Sequence, residues 1–143
     1  MPWLCIVRNP VDVLLSWLTV DLPVNRGHIP AGERFETKLK TALLEPDCLS
    51  RQLIIYKWFM QSFLKSGLPI VRYENVIASN GEALANALGV KPYVREALSM
   101  QERVFDNQVL QTLTRAAASL TKLDCGTLYS QADIKQRLKN KGL

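Results

Sequence analysis

Histidine is nearly absent from this chain: His28 stands alone, and the three cysteines, Cys5, Cys48 and Cys125, lie far apart. Zinc and iron sites need several such ligands at close spacing, so the composition offers no plausible centre for either metal. An odd number of scattered cysteines is no disulfide framework, and free thiols in a reducing compartment are the simplest reading. Long apolar runs are missing too, all falling short of the roughly 20 residues that a membrane-crossing helix requires. No basic region precedes the first apolar residues, so the N-terminus does not read as a signal peptide. Internal repeats, low-complexity segments and a G-x-x-x-x-G-K-[ST] phosphate loop are all lacking. These absences make a cytoplasmic location the expectation.

What remains is an ordinary globular composition: 143 residues, 48% hydrophobic and 22% charged, with a net charge of +5. That length fits a single domain. The positive balance suggests an anionic ligand or partner without saying which.

Trp3 to Val7 is a short apolar segment of strand formers that ends at Arg8-Asn9-Pro10. Asn9 is a good helix N-cap, Pro10 suits the first helical position, and Asp12 suits the positive end of the dipole. A helix over 10–20 launched directly from a strand is expected. Residues 21–33 form a breaker-rich loop. Phe35, Leu39, Ala42 and Leu43 recur at helical spacing until Pro46, and Leu49 to Leu64 outline a longer helix that leaves little surface for water. Gly67 stops it. Leu68 to Tyr73 reads as a second strand, and Ser79-Asn80-Gly81-Glu82 as a capping box opening a helix that ends at Gly89. Phe105 to Leu120 and Gln131 to Asn140, the latter capped by Ser130, supply two more helices.

Apolar strands separated by helices predict an α/β fold with a central parallel sheet, both strands covered on both faces. Two strands alone make a poor sheet. The abrupt start on a strand therefore leads to the expectation that further strands precede Met1 and that the chain is part of a larger domain. Its segments divide at 3–20, 21–66, 68–89 and 93–143.

In an open parallel sheet, ligands bind beyond the carboxyl ends of strands, where helix N-termini present free N–H groups. Arg8 sits at such an end, and its guanidinium can hold a phosphate through two parallel hydrogen bonds. Ser16 lies about 9 Å along the helix axis from Pro10, at 1.5 Å per residue, on the face shared by Asn9 and Asp12 or Val13. On geometry alone, a plain strand–cap–helix junction with a solvated Arg8 accounts for the same pattern.

The stretch Arg8-Asn9-Pro10, Asp12-Val13, Ser16 resembles the second donor-binding signature of the sulfotransferases that use 3′-phosphoadenosine 5′-phosphosulfate. The block Gly67-Leu68-Pro69-Ile70-Val71-Arg72-Tyr73-Glu74-Asn75-Val76, followed by a helix to Leu88-Gly89, is similar to that family's strand, Tyr-Glu-Asp and helix, with Asn75 in place of Asp. The resemblance implies that Arg8 and Ser16 bind the donor's 3′-phosphate and that Tyr73 contacts its adenine. It also implies a three-layer, P-loop-like fold of which this chain is a helix-rich C-terminal part. The implied reaction moves a sulfuryl group to a hydroxyl or amine of a carbohydrate, lipid, small molecule or protein, without a metal.

The chain departs from the family in lacking the glycine-containing loop with a lysine that cradles the 5′-phosphosulfate, and the general base that precedes the arginine motif. Lys139-Asn140-Lys141-Gly142 is too weak a match to the C-terminal Arg-Lys-Gly segment of cytosolic members to count. The isolated chain is accordingly expected not to turn over. His28, in the variable loop, is the one candidate base, though a loop histidine without an orienting partner is usually unremarkable. Trp17 and Trp58 read as core residues. The basic tail of Lys135, Arg137, Lys139 and Lys141 reads as a solvated helix face.

Two other functions fit the same sequence. One is a non-catalytic module that binds adenosine 3′,5′-bisphosphate or another polyanion. The other is a small basic protein binding nucleic acid through its last helix, although nucleic acid is not the expected partner.

Overall fold

The computed structural model describes residues 3–20, 22, 37–42, 44–93, 96–100, 102–123 and 128–143. Strand β1 (Cys5–Val7) leads into helix α1 (Pro10–Leu18), followed by α2 (Thr37–Ala42) and α3 (Cys48–Lys65). Strand β2 (Ile70–Arg72) comes next, then α4 (Tyr73–Ala78), α5 (Glu82–Leu88), α6 (Asn107–Thr121) and α7 (Gln131–Asn140). Among the described residues the two strands form one parallel sheet, with Cys5 paired to Ile70, Ile6 to Val71 and Val7 to Arg72. The architecture is α/β and helix-rich. None of the described helices is long and apolar enough to cross a membrane.

Local chemistry sets the element ends. The Asn9 side chain accepts the Val11 N–H at 3.0 Å, and Pro10 opens α1. Gly67, at φ +69°, takes the left-handed conformation that ends α3 and turns the chain toward β2. Ser130 and Asp133 form a complete capping box on α7.

The expected box at Ser79 is absent. Helix α5 starts instead from Gly81 at φ +90°, while the Ser79 hydroxyl accepts the Ala83 N–H at 2.9 Å. Asn80 and Gly81 both adopt positive φ, so the chain makes a tight reversal between α4 and α5 and the cap moves beyond Ser79. Tyr73, expected to close a strand, opens α4.

Val11, Leu14 and Leu15 of α1 are buried in the main core with Tyr56 and Met60 of α3, Leu113 and Leu120 of α6, and Ile134 and Leu138 of α7. Full burial of a leucine contributes roughly 1.5–3 kcal/mol, so α1 is the element on which the others assemble. Trp17 packs against this core and, with Trp58, against a second cluster of Leu39, Ala42 and Ile55. Burial of the sheet is less complete than its apolar sequence suggests. Ile6 is 51% exposed, so among the described residues one face of β1 is open at that position. Ile54, Phe59 and Leu64 likewise remain partly exposed on α3. Phe35, Leu43 and the loop carrying His28 lie outside the described residues.

Candidate functional site

The parallel register brings the carboxyl ends of β1 and β2 side by side, and the residues that follow them, Arg8 and Tyr73, meet there. The Arg8 guanidinium stands over the Tyr73 ring, 5.1 Å from its centroid. A polar cavity of about 360 Å³ opens at this point, lined by Arg8, Asp12, Ser16, Tyr73, Ser99, Arg103, Phe105 and Lys141. Arg8, Ser16 and Tyr73, each singled out in the sequence, therefore border one space. His28 lies outside the described residues.

The junction carrying Arg8 is clamped from three directions. The Tyr56 hydroxyl donates to the Arg8 carbonyl at 2.8 Å, and the Asn9 N–H donates to Glu74 Oε1 at 2.8 Å. Tyr129 donates to Glu74 Oε2 at 2.7 Å and lies 3.2 Å from the Val7 carbonyl. Glu74 thus joins the end of β1 to the start of α4, and Tyr129 locks both. Burial and the adjacent Glu74 carboxylate hold the Tyr129 phenol well above its ordinary range.

This has a measurable consequence. The unfolded chain releases the phenol proton near pH 10 while the folded one retains it, so stability is full below that pH and declines as pH rises above it. Tyr129→Phe is expected to cost about 1–2 kcal/mol at neutral pH, since it leaves the half-buried Glu74 short of a donor. It should also flatten the alkaline loss of stability, as followed by urea unfolding between pH 8 and pH 11.

The opening turn of α1 differs from a simple anion-binding helix end. Its N–H groups are already committed: Asn9 to Glu74, Val11 to the Asn9 side chain, and Asp12 to the Asn9 carbonyl, while Pro10 has none. An anion in the cavity is therefore read by side chains and not by the free backbone amides that the strand–helix pattern suggests.

Those side chains are organised around Asp12, which is 3% exposed. Arg137 of α7 grips it with two hydrogen bonds of 2.8 Å, and Lys141 stands 3.6 Å from Oδ1. Arg8 Nη2 is 3.9 Å from the same oxygen. Glu102, on the segment between α5 and α6, forms the outer half of the arrangement. It accepts from Arg137 at 2.9 Å and pairs closely with Lys141. Hydrogen bonds from Lys141 and Arg137 hold the Glu102 carboxyl below the usual carboxylate range, and those that Arg137 donates to Asp12 and Glu102 raise its own guanidinium.

The cavity lining sets Arg8, Arg103 and Lys141 against Asp12, an excess of two positive charges, and the Arg137–Glu102 pair beside it adds none. Arg8 Nε is buried and makes no hydrogen bond among the described residues. Ser16 also lines the cavity.

The basic tail is not a solvated face. Arg137 and Lys141 are only 12% and 9% exposed and turn inward to Asp12 and Glu102, leaving Lys135 and Lys139 in solvent. The reason is a buried carboxylate: Asp12 in the interior requires compensating charge, and α7 supplies it. Sequence reasoning missed Ser99, Arg103 and the inward role of Lys141. The Lys141-Gly142 pair was the only signal pointing to this end of the chain.

No family model, no curated protein and no solved structure matches this chain. The class defined by the described residues is an α/β unit with a cationic cavity at the carboxyl ends of two parallel strands.

Proposed function

We propose that this chain is a helix-rich part of a three-layer sulfotransferase domain and holds the 3′-phosphate of 3′-phosphoadenosine 5′-phosphosulfate between Arg8 and Ser16, with Tyr73 against the adenine. The observation that carries the reading is the convergence of these three residues on one cationic cavity beyond the ends of parallel strands. A cavity of about 360 Å³ is within the range of small-ligand sites. Its excess of two positive charges suits a phosphate dianion, and the buried, unpaired Arg8 Nε is a donor that such a ligand would satisfy. Lys141 beside Arg8 and Asp12 adds weight to a C-terminal match that the sequence alone left too slight.

Transfer of a sulfuryl group to a hydroxyl or amine needs in-line alignment and charge neutralisation on the leaving oxygens. Arg8 and Ser16 act at the far end of the donor. Their contribution is orientation through remote binding energy, and the acceptor chemistry is not theirs. The sequence holds no glycine–lysine loop for the 5′-phosphosulfate, so this chain by itself binds the nucleotide without turnover.

Isothermal titration calorimetry tests the reading. One equivalent of adenosine 3′,5′-bisphosphate is expected to bind with a Kd well below about 1 mM. Failure to bind at that concentration would remove the proposal. Release of adenosine 3′,5′-bisphosphate from the sulfated donor by the isolated chain would show that catalytic groups at the sulfur are present after all.

A further inference from the structure

We infer that Glu102 is an affinity-setting residue of the cavity, a built-in carboxylate that occupies its outer cations until a ligand phosphate takes Lys141 from it. The inference rests on the phosphate-binding reading above and adds to it a competitor carried by the chain itself.

The two carboxylates at the site are not equivalent. Asp12 is buried and fixed by the paired hydrogen bonds from Arg137. Glu102 is 54% exposed, sits on the non-helical segment between α5 and α6, and reaches the same two cations from outside. Lys141 is shared: its ammonium contacts Glu102 closely and lies 3.6 Å from Asp12 Oδ1. It also stands 5.7 Å from the centroid of the Phe105 ring, which borders the cavity. An ammonium is a compact charge on a flexible stem, so Lys141 can exchange one oxyanion for another with little movement. Arg137 cannot do so without breaking its planar pairing with Asp12.

Displacing Glu102 from Lys141 turns one carboxylate oxygen to water while the other keeps Arg137, and the high exposure of Glu102 keeps the cost small. A dianionic phosphate beside Arg8 and Lys141 offsets that loss through two cations at once. A ligand without a phosphate at this position has nothing to exchange. Glu102 therefore lowers the affinity for every ligand that engages Lys141 and leaves the others unaffected. Arg103, the next residue, lines the cavity, so the segment that carries the competing carboxylate also brings a cation to the same rim.

The test compares the wild type, Glu102→Gln and Glu96→Gln in calorimetric titrations with adenosine 3′,5′-bisphosphate and with adenosine 5′-monophosphate, which lacks the 3′-phosphate. Glu102→Gln is expected to tighten the bisphosphate by about two- to fivefold, the range of an exposed ion pair, and to leave the monophosphate unchanged. Glu96 lies on the same segment but borders a separate apolar groove, so its neutralisation should change neither Kd. Bisphosphate affinity that is unchanged or weaker in Glu102→Gln, or equal gains in both variants, overturns the inference while the donor-site reading stands. Wild type that binds no bisphosphate removes both. A Glu102→Ala variant checks that the gain follows loss of the carboxylate and not the new amide.

Discussion

Arg8→Ala is expected to weaken adenosine 3′,5′-bisphosphate binding by about 30- to 150-fold, or about 2–3 kcal/mol, with little change in fold stability. Truncating one partner of a hydrogen-bonded charge pair costs about 2–5 kcal/mol. The Arg8 side chain is 37% exposed, so solvent screening places the effect at the low end. The fold should tolerate the change because the clamps at this junction involve the Arg8 carbonyl and not its guanidinium: Tyr56 still donates to that carbonyl and Glu74 still accepts from Asn9. Calorimetry and thermal unfolding on the same preparation separate the two effects. A variant that binds normally would remove Arg8 from the site, and with it the central element of the donor reading.

Asp12→Asn should act in the opposite manner, with its main effect on stability. The carboxylate is 3% exposed and is the partner that Arg137 and Lys141 turn inward to meet. Removing one member of a buried charge pair leaves the other uncompensated, at a cost of about 3–5 kcal/mol. Glu102 still reaches both cations, so about 3 kcal/mol is the expected loss, equivalent to a fall in Tm of about 10 °C for a chain of this size. The double variant Asp12→Asn/Arg137→Gln should lose less than the sum of the two single changes, by about 0.5–3 kcal/mol, because both remove the same interaction. Strict additivity would show that the Asp12–Arg137 pair does not hold α7 to α1.

The difference between these residues also marks what a sequence can convey. Arg8, Asn9, Pro10 and Ser16 were legible because their meaning is local. A strand end, a cap, a proline at the first helical position and a hydroxyl on the same face are all encoded within one strand–helix unit, and α1 follows from them. The parallel pairing of β1 with β2 was legible from their apolar character. Tyr73 lines the cavity, as its place after the second strand suggested, but it opens α4 and does not close β2, since a residue between a strand and a helix carries no periodicity of its own.

Arg137 and Lys141 were misread for a different reason. On α7 alone they resemble any cationic face. Only the buried Asp12 explains their inward orientation, and burial of an acid in the first turn of α1 is a tertiary fact. Ser99 and Arg103 belong to a segment without regular structure, where neither alternation nor helical spacing betrays which side chains face a ligand. The Ser79 box failed because its pattern matched while the backbone reversed at Asn80 and Gly81.

The long reach of these contacts has a kinetic corollary. Tyr129 closes on Val7 across 122 positions, and Arg137 on Asp12 across 125. Closing chain loops of that size costs entropy that nearby contacts do not recover, so the cavity is complete only once almost the whole chain has collapsed. A partly ordered intermediate, helical but not yet joined end to end, has no site to offer. A ligand of this cavity would then favour the fully folded state alone, raising its stability by about 2.7 kcal/mol at a hundredfold excess over Kd. Resistance to proteolysis would then rise and fall with the supply of such a ligand.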